Sequence, residues 1–367
     1  MSVQVLMRDE NYRPRGFLIA SKVEMMRRLN RPDTFIVNVS PESAQQATRL
    51  REGWGLVVQD GDFKVSGVIT QFFRTAKDNN LEVEVTCTSE LAFLGDRLTY
   101  PDPAHEETQQ QAARWKERGA CETVIKNLVA KNLSSEALVS RRVPGFTVAP
   151  SQGRGGDASV DTRLKNLLDV VEPMATAAGL RMNVQFQPGG LVFDTIPTRN
   201  LSRRVRLSWV SGEVIGWEMT DRAPSVTAVI VGGQGEGADR RLDSRQRLDS
   251  WRRRIEIFKD RRDTDDAGAL EKTANEELDK GISERIMKVT VQESDTRKFG
   301  VAFDVGDTIT LDVAPNVTPY DSRIIEAKIV WGDDTRTVEL TAGALDLTLS
   351  QERIERLRRE IAQLATV

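Results

Sequence analysis

The run Leu81-Glu-Val-Glu-Val-Thr-Cys87 constrains this chain more than any other segment. In an extended strand, Leu81, Val83, Val85 and Cys87 point one way, and Glu82, Glu84 and Thr86 point the other. A strand with one apolar and one charged face belongs to an antiparallel sheet wetted on one side. Thr34-Phe-Ile-Val-Asn-Val39 repeats the pattern, with Phe35, Val37 and Val39 on one face. The stretch 55–65 carries Asp60-Gly61 at its centre, the dipeptide that best accepts the positive φ angles of a type I′ turn. Its second arm runs on through 67–73, and Lys77-Asp-Asn-Asn80 supplies another turn before Leu81. Consecutive hairpins predict a meander or small barrel.

The middle changes character. Residues 106–132 are helix-forming, with Gly119 expected to divide them and Ala112, Trp115, Val124, Ile125, Leu128 and Val129 available for burial. Ser151-Gln-Gly-Arg-Gly-Gly156 reads as a flexible connector. Asp161 is the expected N-cap of a helix carrying Leu164, Leu167, Leu168 and Val171; Pro173 should kink or end it, and Gly179 suits a C′ position. Residues 182–186 and 191–194 flank Pro188-Gly-Gly190 as a hairpin. Strands return at 205–209, 214–217 and 226–231. A Gly-rich, charged stretch at 232–262 precedes an acidic helix over 263–281 with Leu270, Ala274 and Leu278 on one stripe. Strands at 289–291, 308–313, 323–331 and 335–341, then a helix at 351–364, complete the pattern.

Composition narrows the chemistry. With 52 basic and 55 acidic side chains among 367 residues, the chain is no broadly basic nucleic-acid binder. His105 is the single histidine, which excludes HExxH proteases and paired-histidine zinc sites, and no G-x-S-x-G elbow accompanies it. Cys87 and Cys121 form no C-x-x-C pair or disulfide framework. The first residues lack a signal-peptide core, and no apolar run approaches the ~18 residues of a membrane span, so cytosolic synthesis is expected.

Gly232-Gly-Gln-Gly-Glu-Gly-Ala238 satisfies G-x-G-x-x-A after a strand, yet residues 239–249 offer only Leu242 and Leu248 to pack a helix, so it reads as a loop without a cofactor. The Arg-rich stretch 240–262 is interleaved with acids and suits a solvated or subunit-facing surface, with 252–258 as an edge strand. Paired carboxylates could serve a cell-wall or glycan hydrolase, but among so many acids none is singled out; Asp265-Asp266 and Asp333-Asp334 read as a helix start and a turn. Exposed Trp209, Trp217 or Trp251 would suit a carbohydrate-binding adhesin. The terminal helix places Ile354, Leu357, Ile361 and Leu364 at a/d spacing, for a subunit contact or for packing on the chain's own last sheet. An internal echo relates Val68-Ile-Thr and Val83-Glu-Val-Thr86 to Ile324-Ile-Glu and Val338-Glu-Leu-Thr341; short β phrases also match by chance, so the echo alone leaves duplication open.

Together with this order of elements, the phrases Thr34–Val39, Gly67-Val-Ile-Thr70 leading to Leu81–Cys87, Arg141-Arg-Val-Pro-Gly145, Thr227-Ala-Val-Ile-Val-Gly-Gly233, and Val305-Gly-Asp-Thr-Ile-Thr310 through Val338-Glu-Leu-Thr-Ala-Gly343 resemble the tail-hub minor tail proteins of actinobacterial siphophages. The resemblance implies an α+β, β-rich fold: two related antiparallel β-barrel-like hub domains, an inserted small α+β domain and a C-terminal helix. Residues 1–100, completed by strands from about 205–233, would form the first barrel, and 101–204 the insert. Residues 234–285 would be the charged loop and acidic helix, 286–346 the second barrel, and 347–367 the terminal helix.

It further implies a non-enzymatic homotrimer with pseudo-sixfold symmetry at the virion tail tip. Its partners would be the distal tail protein ring, the tape measure protein and receptor-binding or fibre proteins, with DNA passing through but not specifically bound. No cofactor, metal or membrane insertion is implied, and since the chain stops just after the hub portion, no lytic activity is expected. Residues 301–346 carry nine acids against three bases. Asp304, Asp307, Asp312, Glu326 and Glu339 are the candidates for a lumen that repels DNA phosphates, a reading that competes with their being ordinary outward-facing strand residues.

Overall fold

The computed structural model describes residues 3–77, 80–247, 252–294, 296–332 and 335–343. The chain divides into two compact units, Met1–Trp217 with Lys288–Ala342, and Glu218–Met287 with the residues from Gly343 onward. In chain order the first elements are β1 (Gln4–Arg8), β2 (Pro14–Leu18), β3 (Ala20–Arg28), β4 (Thr34–Val39), α1 (Ala44–Ala47), β5 (Gly55–Asp60), β6 (Phe63–Lys77), β7 (Asn80–Ser89) and α2 (Ala92–Gly95). The alternation read from sequence is realised here: Phe35, Val37, Val83, Val85 and Cys87 are buried. The β5–β6 turn differs by one residue from expectation. Asp60 pairs with Phe63, so Gly61-Asp62 is the central dipeptide, and only Gly61 takes a positive φ, +63°. That is the pattern of a type II′ turn, which wants glycine first.

The next segment contains β8 (Trp115–Ala120), α3 (Cys121–Leu133), β9 (Phe146–Val148), β10 (Asp157–Thr162), α4 (Leu167–Ala177), β11 (Leu180–Gln187) and β12 (Gly190–Pro197). Two helix expectations are corrected. Residues 115–120 form a strand, because Trp115 through Ala120 find a ladder partner in Thr162 through Asp157. Asp161 lies in that ladder, and the α4 N-cap is Asn166, whose Oδ1 accepts from the Leu168 and Asp169 amides. Pro173 sits within α4 on its exposed side, where water can satisfy the carbonyl it leaves without a donor, so the helix runs on to Ala177. Gly179 (φ +65°) follows as the predicted C′ residue. The core under these elements includes Val124, Leu128, Phe146, Val171 and Phe193 together with Tyr12 of the β1–β2 turn, Val57 of β5, Leu91 just before α2 and Leu94 within it. One apolar core thus serves both segments.

After β13 (Arg206–Ser208) and β14 (Val214–Arg222), the second unit builds its own small core. Strands β15 (Ala228–Gly232), β16 (Leu242–Gln246) and β17 (Glu256–Asp260) form a sheet of order β16-β15-β17, with β17 at an edge. Helix α5 (Ala267–Lys280) covers it, burying Leu270, Ala274 and Leu278 against Val229 and Val231. Asp266 caps α5 through the Ala269 amide, as the acidic pair suggested.

The chain ends in β18 (Glu284–Val291), β19 (Thr308–Asp312), β20 (Tyr320–Gly332) and β21 (Thr335–Ala342). These join the early strands in a 13-stranded sheet with the path β14-β18-β21-β20-β3-β4-β7-β6-β5-β1-β2 and a branch through β19 and β13. The protein is β-rich, with a large, mainly antiparallel sheet and few helices, as the resemblance implied.

The path contains a repeat. Numbering the strands of β3, β4, β6, β7 and of β14, β18, β20, β21 by chain order, both sets run 1-2-4-3 across the sheet. The hairpins match in detail. In β6–β7 a bulge falls between Ile69 and Gln71, and the last pair before the turn is Lys77 with Asn80. In β20–β21 the bulge falls between Ile324 and Glu326, and the last pair is Gly332 with Thr335. Bulge and turn are equally far apart in both. The echo is therefore structural, and it aligns Ile69 with Ile324, one residue later than the sequence phrases suggested.

Candidate functional site

The shared face of these two blocks is the most extensive candidate surface. Cross-strand pairing places Phe73, Glu84, Asn38 and Lys22 in one row, and Thr337 with Val330, Glu339 with Lys328 and Met26, and Thr341 with Glu326 and Arg28 in others. The reverse face carries Val23, Met25, Phe35, Val37, Val85, Ile329, Trp331, Val338 and Leu340, all buried. The polar face is therefore the wetted side of the sheet, and its character follows from period-two alternation alone.

Charges on this face are partly self-neutralised. Lys22 Nζ lies 2.6 Å from Glu24, Lys328 Nζ 3.7 Å from the same carboxylate, and Arg28 Nε donates to Glu326 Oε2 at 3.1 Å. The hydrogen bond from Lys22 holds the Glu24 carboxyl below the usual range. Glu84 and Glu339 occupy equivalent places in the two hairpins, in the third pair beyond the bulge toward the turn. Sequence reasoning chose Glu339 and Glu326 but left out Glu24, Glu82 and Glu84. The alternation in Leu81–Cys87 already contained the signal for the last two.

The other candidate acids lie elsewhere. Asp304 and Asp307 are buried, which removes them from any wetted lining. Arg27 grips Asp304 with two bonds, Nε to Oδ1 at 2.8 Å and Nη2 to Oδ2 at 2.9 Å, and Arg181 Nη1 reaches Oδ2 at 2.7 Å. Burial works to raise the Asp304 pKa, but the charges of Arg27 and Arg181 outweigh it and hold the carboxyl below its ordinary range. Asp33, which also accepts from Arg27 at 3.0 Å, is left above its ordinary range by burial. Asp307 accepts from Arg199 Nη2 at 2.5 Å and from the Asp304 amide at 3.0 Å, pinning the Gly306 bend (φ +91°). These are fold-holding ion pairs. Asp312, on β19, accepts from Arg206 at 2.7 Å and Ser208 at 3.0 Å, and the Arg206 bond lowers its pKa. Ile354, Leu357, Ile361 and Leu364 lie outside the described residues, as does Trp251.

The remaining motifs resolve plainly. The Gly-rich loop after β15 passes through a single 3-10 turn, Gly237–Asp239, to the strand β16, with no α-helix for a dinucleotide to sit on. The Gly233 and Gln234 amides, which a pyrophosphate would need as donors, are spent on the Arg241 and Thr264 carbonyls at 2.8 and 3.1 Å. His105 sits in a surface loop with Nδ1 2.7 Å from Asp102 Oδ2. Trp209 and Trp217 are 46% and 38% exposed. Among the described residues no helix is long and apolar enough to cross a membrane.

A β-rich chain built on a large antiparallel sheet with a repeated strand block has the fold of phage tail proteins. The 43 kDa tail protein of prophage MuSo2 from Shewanella oneidensis superposes with a TM-score of 0.59 at 11% identity, over 92% of this chain and 97% of that one. A tail protein from Neisseria meningitidis MC58 gives 0.60 at 13%, over 94% and 97%. Prophage tail protein gp18 from Listeria monocytogenes EGD-e gives 0.56 at 14%, over 99% of each chain. No curated protein matches the chain. The chain belongs to the Siphovirus ReqiPepy6 Gp37-like protein family, whose model matches residues 3–344.

Proposed function

We propose that this tail protein is a hub of the tail tip: three copies close a ring, and each copy contributes two equivalent strand blocks so that the ring imitates sixfold symmetry. One observation carries the reading. β14-β18-β21-β20 and β3-β4-β7-β6 follow one another in a single sheet in the same internal order, with matching bulge and turn. Blocks repeated in that sense continue by rotation, and three copies close a ring when each block turns the sheet by a sixth of a circle. Such a ring would adapt a sixfold tube to threefold parts. It would meet the distal tail protein ring and tape measure protein on one side and receptor-binding or fibre proteins on the other.

If the wetted face lines the opening, Glu84 and Glu339 of three copies make a sixfold set of carboxylates. The bases Lys22, Arg28 and Lys328 lie against Glu24 and Glu326, so little free positive charge remains to hold phosphates. DNA would slide through such a passage. The role is structural, without a catalytic step. Mass photometry of the purified full chain tests the reading: a trimer is expected, and a monomer at every concentration, with no ring in imaged tails, contradicts it.

A sugar-binding role at the same tail tip is favoured by the exposure of Trp209 and Trp217, since aromatic faces stack on sugar rings. Retention of host wall glycan by the protein, lost in Trp209→Ala with Trp217→Ala, is the expected result. Unchanged retention removes this second reading.

A further inference from the structure

The two matching hairpins differ in what lies beside them. On β20, residues before the bulge pair with β19 and those after it pair with β3, from Glu326 opposite Arg28 to Gly332 opposite Lys22. On β6, residues before the bulge pair with β5, but Gln71–Lys77 pair, among the described residues, with β7 alone. β14, which holds the place of β3 in its own block, ends the sheet, and among the described residues no strand pairs with its outer side. The fold thus leaves one half-strand without the neighbour its counterpart has, and one strand without the neighbour its own counterpart has.

We infer that these two edges complete each other between copies: Gln71–Lys77 of β6 in one copy lies antiparallel to β14 (Val214–Arg222) of the next, repeating the β20–β3 ladder. The inference rests on the hub reading and names the contact by which its copies join. Open strand edges present unpaired N–H and C=O groups and template the addition of another strand. Apolar side chains are exposed on both edges, Phe73 (52%) on β6, and Ile215 (53%) and Trp217 (38%) on β14. The charges are complementary, with exposed Arg74 on one and exposed Glu218 on the other. Because one edge meets a different edge, the contact is head-to-tail and propagates around a ring instead of stopping at a pair.

Cysteine cross-linking of the full chain tests this. Thr75→Cys is combined in turn with single cysteines placed from Ile215 to Asp221. Directly opposed strand residues bring Cβ atoms within disulfide reach. The native Cys87 and Cys121 are buried at 0% and 1% exposure and stay silent. Covalent dimers and trimers are expected for positions that face Thr75 and for neither single variant. In parallel, Arg74→Glu should weaken trimerisation at least tenfold by mass photometry while leaving the circular dichroism unchanged. A trimer that persists with no cross-link at any position, and that tolerates Arg74→Glu, overturns the edge contact and leaves the hub reading standing. A protein that is monomeric throughout overturns the hub reading itself.

Discussion

The hairpins β6–β7 and β20–β21 share a bulge, a turn position and a place in the strand order, yet they live in different surroundings. The later hairpin is enclosed: Ile329 is fully buried, and Trp331 donates through Nε1 to the Asp60 carboxylate at 2.9 Å. The earlier one keeps its outer half at an edge, and Arg74, the counterpart of Ile329, is exposed. The same local architecture therefore acts once as interior and once as border. The difference teaches that a repeat need not be used symmetrically within a chain. One copy of the block is closed in on both sides by its own chain, and the other keeps an unpaired half-strand among the described residues.

That contrast can be broken by substitution. The largest effect is expected at the ion cluster beside the enclosed hairpin. Asp304→Ala strands Arg27 and Arg181 without their shared carboxylate, and removing one member of a buried pair costs about 3–5 kcal/mol. Urea unfolding checks this, and a loss below about 1 kcal/mol would show that the cluster does not hold the fold. Next comes the direct comparison across the repeat. Ile329→Ala should cost about 2–5 kcal/mol, as buried truncations do. Arg74→Ala, at the position equivalent to Ile329, should stay within about 0.5 kcal/mol for monomer unfolding, as exposed changes do, while weakening the oligomer. Equal losses at both positions would erase the distinction between interior and border.

The smallest effect is one of pH. The Asp304 carboxyl is held low in the folded chain, so its stabilisation is complete above the unfolded value of about 3.9 and drains away as pH falls through the lower folded value. Asp304→Asn should flatten this acid limb relative to the native chain, and denaturant midpoints measured across that window report it. Parallel curves for the two proteins would place the acid sensitivity elsewhere.

The sheet was largely legible because alternation reports directly on which side of a strand is wet. Thr34–Val39 and Leu81–Cys87 announced their buried sides, and Leu270, Ala274 and Leu278 announced the packed stripe of α5. Strand formation at Trp115–Ala120 was hidden, since its ladder partner at Asp157–Thr162 lies beyond an intervening helix. The acids were the poorest guide. Asp304 and Asp307 look like surface charges in sequence, and their arginine partners Arg27, Arg181 and Arg199 are remote along the chain. Asp60, read as a turn residue, is an interior anchor for Trp331 and Lys298. Burial of a carboxylate depends on who arrives to neutralise it, and local pattern carries no record of that. The polar face, by contrast, followed from the same alternation that revealed the core, and Glu84 stood in the open throughout.

Imaging the assembled tail by cryo-EM, with this chain located in the density, tests the account most directly. Three copies should encircle a passage as six similar four-strand blocks, with Glu84 and Glu339 at matching radii. Density in which the β6 and β14 blocks stand at unrelated radii, or in which the chain surrounds no opening, would contradict it.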